Sequence, residues 1–219
     1  MKETKKDRII DAAVRLFYTQ GFDGTSVRDI ASKANVNVAL VSYHFGGKKG
    51  LYEELMIQFL EGHLTIIKTE LEHVKGTVKD QLLSLIKSLL QYQSANHFVA
   101  RMVHREMTMD SVLVRELMST YLRKEKHDFE VLIHNGMKKG EFRKQPLDFV
   151  LIHLRTMIIM PFQSPHYLSE LYQITTTEPY FIERYMKHIK HWIDLWLCKN
   201  PQEYSHNTST TFLLPRSIS

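Results

Sequence analysis

The chain has 219 residues, with 29 Lys and Arg against 24 Asp and Glu for a formal charge of +5. Its 43% hydrophobic and 24% charged residues match a folded soluble protein and exclude a mostly disordered chain. The single cysteine, Cys198, excludes an internal disulfide and any multi-cysteine zinc or iron–sulfur site.

In chain order, Ile9, Ile10, Ala13, Leu16 and Phe17 share one helical face, which predicts a helix over Lys5–Gln20 closed by Gly21. Ser26 and Asp29 have the spacing of a capping box and predict a short helix from Val27 to about Ala34. Asn35, Val36 and Asn37 read as a tight turn, with Asn37 as N-cap of a third helix, Val38–Phe45. Gly46 and Gly47 break that helix, and Lys48 opens a long one reaching about His73. Further amphipathic helices are predicted over Val78–Ala95, over residues 98–107, and from an Asp110 cap through Met137 to a stop at Gly140. Pro146 precedes a helix over 147–160 that Pro161 should terminate. A short turn of helix over 167–172 and a last helix over 180–197 follow. The Asn-, Ser- and Thr-rich residues 200–219 read as a flexible tail. No segment alternates with period two, so the expected class is all-α.

The first eight residues lack an apolar core of the secretory type. The longest uncharged run, residues 156–169, contains two prolines and falls short of the ~20 apolar residues a membrane span needs. The expectation is a cytoplasmic protein with no membrane partner.

Charge is unevenly distributed. Residues 1–50 carry nine basic and five acidic side chains, whereas the remaining chain is nearly neutral. A basic head on a neutral body is the footprint of a nucleic-acid-binding module. The helix, short capped helix, three-residue turn and second short helix make a helix-turn-helix candidate. Val36, Val41 and Phe45 supply its packing face. Val38, Ala39, Ser42, Tyr43 and His44 are left pointing outward, where apolar groups meet thymine methyls and polar ones meet bases or phosphates. Lys48, at the start of the next helix, suits a phosphate.

The string from Gly21 through Phe22, Thr25, Ser26, Val27, Arg28, Asp29, Ile30 and Ala31, followed by Val36, Tyr43, His44, Phe45, Lys48 and Leu51, resembles the TetR/AcrR family of transcriptional regulators over about 47 residues. The resemblance implies a homodimer that binds palindromic double-stranded DNA through residues 1–47. A helical dimerisation and regulatory domain would follow over 48–199, paired through helices at 147–160 and 180–197. It further implies that Thr25, Ser26 and Arg28 border the groove. Asn37, Val38, Ala39, Leu40, Ser42 and Tyr43 would be recognition-helix positions, and His44 and Lys48 phosphate contacts. Asn37, Ser42 and Gly47 depart from the family pattern, which leaves the base sequence unspecified. A second resemblance, carried by Arg105 to Ser111, Met118 to Lys126, Met160 to Phe162 and Glu178 to Phe181, is to TetR-type proteins of spore-forming bacteria that act on cell division. It implies a nucleoid-associated protein with the division protein FtsZ as partner. A ligand-responsive repressor of a nearby operon is the alternative.

Arg101, Arg105, Glu106, Arg115 and Glu116 crowd one region as either a mutually paired solvated face or a partner-binding patch. Met102, Met107, Met118, Met157, Met160, Phe162, Tyr167 and Tyr172 line either an effector cavity or a filled core. His188 and His191 share a helix face but have no evident third metal ligand. Neither a P-loop nor an H-E-x-x-H pattern occurs, and no cofactor or enzymatic activity is expected.

Overall fold

A computed structural model describes residues 4–73, 75–109, 112 and 114–199. Ten α-helices carry these residues: α1 Lys5–Gln20, α2 Val27–Ala34, α3 Val38–Phe45, α4 Lys48–His73, α5 Val78–Ala95, α6 His97–Met107, α7 Ser119–Lys139, α8 Leu147–Gln163, α9 Pro165–Tyr172 and α10 Pro179–Trp192. π-helical turns at Val114–Met118 and Ile193–Leu197 lead into α7 and extend α10. The Asp110 cap and the 200–219 tail lie outside the described residues.

Helix starts follow a repeated local device. Thr4 with Asp7, Ser26 with Asp29, and Thr77 with Asp80 each form a reciprocal capping box, satisfying backbone N–H groups that have no partner inside the helix. The same hydroxyl and backbone bonds hold all three aspartate carboxyls below their ordinary range.

Pro161 does not end its helix, contrary to the sequence expectation. It sits in the last turn of α8, which runs on to Gln163. A proline inside a helix removes an N–H and frees the carbonyl four residues back. That carbonyl, on Met157, accepts the Tyr185 hydroxyl of α10 at 3.1 Å, so a tertiary bond replaces the lost helical one.

The buried side chains form a continuous cluster. Ile9, Ala13, Ile30, Val41 and Phe45 make the core of the head, and Leu51 and Tyr52 of α4 are buried with them. Farther along, α4 contributes Phe59, His63 and Ile67 to the body. Its 26 residues span about 39 Å, so a single rigid element joins the two regions. At the far end, Phe142 is fully buried beneath Gly136, where a Cβ would overlap the phenyl ring. Arg143 N donates to Leu197 O at 2.8 Å, and Lys199 N donates to Glu141 O at 3.1 Å, tying the end of the last helix to the loop before α8.

Candidate nucleic-acid interface

The head is built around the turn between α2 and α3. Asn35 adopts the left-handed conformation (φ 52°), which asparagine tolerates better than most non-glycine residues. Val36 N donates back to Ala31 O at 3.0 Å, closing α2 while Val36 packs on the core. Asn37 then caps α3, its Oδ1 accepting from Ala39 N at 2.9 Å. With Val41 and Phe45 buried, the opposite face of α3 must point outward. Ala39 and Ser42 are exposed, as are Val38 at 42% and Tyr43 at 82%. Leu40 is half-buried against the core. His44 is also half-buried, its ring edge-on to Tyr43 at 5.1 Å.

Residues bordering α2 divide into two groups. Thr25 is buried, and its hydroxyl donates to Gly21 O at 2.8 Å, so it shapes the α1–α2 turn. Ser26 is committed to its cap: its hydroxyl donates to Asp29 Oδ2 at 2.6 Å and accepts from Asp29 N at 3.1 Å. That commitment leaves Asp29 turned toward Ser26, and the exposed Arg28 has no ion-pair partner among the described residues. Lys48 is half-buried. Its Nζ donates to Phe22 O at 2.9 Å and lies 4.2 Å above the Phe22 ring, fastening α4 to the α1–α2 turn. An ammonium carries three donors, so this lysine can hold the turn and still meet a phosphate.

The structure separates the residues of the second candidate patch. Arg101 is half-buried, donating to the Tyr18 hydroxyl at 3.0 Å and stacking on that ring. Glu106 is buried and accepts the Tyr52 hydroxyl at 3.2 Å; burial and this carboxylate raise the Tyr52 pKa. Arg105, Arg115 and Glu116 remain exposed. The links Tyr18–Arg101 and Tyr52–Glu106 join the head and α4 to α6. They join residues 83 and 54 positions apart, a separation for which sequence periodicity has no signal.

Beside these links lies a cleft of about 660 Å³ lined by Phe17, Phe22, Tyr52, Met102, Arg105 and Met109 among others. Of the methionines and aromatics named above, Met102 borders this cleft. Met118 and Phe162 are buried, whereas Tyr167 and Tyr172 are exposed.

The body interior holds a polar cluster that sequence reading did not find. Glu125 of α7 pairs with Arg155 of α8, and its Oε1 lies 3.6 Å from His63 Nε2 of α4. Burial alone would raise the Glu125 pKa. The neighbouring imidazole and guanidinium more than offset it and bring the pKa to about 2. His104 of α6 shares its Nε2 with Gln93 Oε1 at 3.0 Å, and burial drives its pKa down to about 3. Among the described residues, no three His, Cys, Asp or Glu side chains are arranged to hold a metal, and no helix is long and apolar enough to cross a membrane.

Residues 9–55 match the model of the bacterial regulatory proteins of the tetR family. Over 194 residues the chain is 44% identical to the "Probable HTH-type transcriptional regulator YttP" of Bacillus subtilis, covering 88% of this chain and 94% of that protein. Among solved structures, the ketosteroid transcriptional regulator KstR2 of Mycobacterium tuberculosis is similar in fold. Its TM-score is 0.75 at 15% identity, over 91% of this chain and 98% of that one. The TetR family regulator PfmR of Thermus thermophilus gives 0.72 at 19%, over 85% and 97%.

Proposed function

Because the chain belongs to the tetR family of bacterial regulatory proteins, we propose that it acts as a homodimer on palindromic DNA, with α3 of each protomer entering the major groove. The observation that carries this reading is the outward face of α3. Tyr43, Ser42, Ala39 and Val38 are held exposed by a capped, well-buried opposite face within the matched segment. The dimer would form through α8 and α10; Phe149 and Ile152 of α8 and Trp196 of the π turn that extends α10 are each about 60% exposed. Apolar side chains of that size, exposed on α8 and on the turn that ends the last helix, suit an isologous interface.

Tyr43, His44 and Lys48 would contact phosphates and sugars and Arg28 a base edge or a phosphate, with Tyr43 the most exposed of the aromatics named for the site. Fluorescence anisotropy with the full-length chain and duplex DNA tests this. Affinity should fall steeply with salt as counterions are released, and Tyr43→Ala should weaken binding to every sequence. Binding that is flat in salt, or unchanged in Tyr43→Ala, would refute the assignment.

Two outputs are open to such a dimer. One is repression of a nearby operon, with or without a small-molecule effector. The other is action on the division protein FtsZ in the manner of the TetR-type division regulators of spore-forming bacteria, supported by the second sequence resemblance and by the exposure of Arg105, Arg115 and Glu116. Transcript profiling after deletion, combined with mapping of bound chromosomal sites, separates them. Changed transcripts beside bound sites support repression; bound sites with unchanged transcripts and a division defect support the second. Charge reversal at Arg105 or Arg115 that spares DNA affinity but removes the division effect would locate the partner surface.

A further inference from the structure

Resting on that DNA-binding reading, we infer that the half-site is read mainly through thymine C5-methyl groups, with Val38 and Ala39 as the reading surface and Arg28 as the guanidinium able to take a guanine. α3 lacks the side chains that best read guanine or adenine. Major-groove guanine is read best by Arg or Lys, and adenine by a bidentate Asn or Gln. Between Val38 and Phe45 there is no Arg, Lys, Asn or Gln. Asn37, just before the helix, has the right chemistry for adenine, but its Oδ1 is committed to Ala39 N at 2.9 Å. Turning the amide to a base would uncap the helix it must present.

What α3 offers instead is small and apolar. Val38 and Ala39 occupy its first two positions, and the N-terminal residues of a recognition helix are those that reach base edges. Both are exposed, whereas Leu40 is held back against the core. A branched methyl surface in the major groove has one specific complement among the four bases, the methyl of thymine. Ser42, one turn on, can donate or accept and so discriminates weakly. Arg28 is the only arginine between Ser26 and Gly46. The Ser26–Asp29 capping box keeps the adjacent carboxylate occupied, which leaves the guanidinium available for a guanine.

The test selects preferred duplexes from a random library with the full-length protein, then replaces each thymine of the half-site in turn by deoxyuridine. That exchange deletes only the methyl group. Affinity should fall about fourfold at one or two positions per half-site, the binding equivalent of burying one methyl. In Val38→Ser and Ala39→Ser variants, the effect should shrink below twofold at the position each residue reads. Arg28→Ala should relax a guanine preference without altering the uridine effect. Insensitivity to deoxyuridine at every position, or full sensitivity retained in both serine variants, overturns the inference while leaving DNA binding intact. Absence of any salt-dependent binding to the library overturns the DNA-binding reading and this inference with it.

Discussion

The outer face of α3 and the interior of the body treat polar groups in opposite ways. At α3 the Asn37 amide is spent locally on the helix cap, so that a methyl-rich surface with the Ser42 hydroxyl and one exposed phenol is left for a partner. Inside the body, ionisable groups from separate helices meet one another: His63 of α4, Glu125 of α7 and Arg155 of α8, with His104 of α6 and Gln93 of α5 beside them. The first arrangement keeps a surface ready for binding. The second costs desolvation that only correct packing offsets, so it commits the body helices to one mutual arrangement. Variants in the body should therefore report on stability, and variants on α3 should report on binding.

The largest expected effect takes the half-buried Arg155 away from the buried Glu125. Arg155→Met leaves Glu125 ionised without its guanidinium and should cost about 3 kcal/mol in urea denaturation. The double variant Glu125→Leu/Arg155→Met should recover most of that loss. A single variant as stable as the parent would show that the pair does not hold α7 to α8.

Next comes acid. His104 is buried neutral, with its pKa lowered from the ordinary 6.5 to about 3. The unfolded chain therefore takes up a proton that the folded one refuses. Stability from this group is complete above pH 6.5 and is lost progressively as pH falls toward 3, by about 2 kcal/mol at pH 5. Denaturation curves of the parent and His104→Gln between pH 7 and 5 should diverge, the variant showing the flatter profile. Parallel profiles would remove His104 from the account.

Gly136→Ala places a methyl against the Phe142 ring and should cost about 1–2 kcal/mol in thermal unfolding, with no direct effect on α3. Ser26→Ala removes one α2 cap and should cost about 1 kcal/mol, while weakening DNA binding more than stability alone accounts for. That cap draws on an aspartate whose pKa is already lowered by Ser26, so its contribution holds at neutral pH and fades only as acid protonates Asp29. Tyr43→Ala completes the series: its change in stability should stay within about 0.5 kcal/mol, although DNA binding falls. A large stability loss in Tyr43→Ala would erase the contrast between the two regions.

Local features were legible because their causes are local. Ser26 and Asp29 are three residues apart, so the capping box could be read from spacing alone, and so could the apolar face of α1 and the inward Val41 and Phe45 of α3. Pro161 misled for the same reason. Its effect on its own helix is unfavourable, and the compensating Tyr185 hydroxyl lies 28 residues beyond the Met157 carbonyl that it meets. The Lys48 bond to Phe22 was likewise invisible. A lysine at a helix start beside a basic head reads as a phosphate ligand, and its second task of holding Phe22 appears only once the chain has folded back across 26 residues.

The amino-acid sequence by itself determined an all-helical chain, the boundaries of its first five helices, and a basic head whose third helix turns Val38, Ala39, Ser42 and Tyr43 outward. Those properties follow from periodicity, capping and charge within a few turns of chain. Only the tertiary structure decided that Glu125 meets Arg155 and His63, that Arg101 and Glu106 face the head through Tyr18 and Tyr52, and that Thr25 is turned inward. Each of the first two depends on helices distant in sequence packing side by side. The last depends on a turn closing onto Gly21, and none of the three outcomes is written in the spacing of residues along the chain.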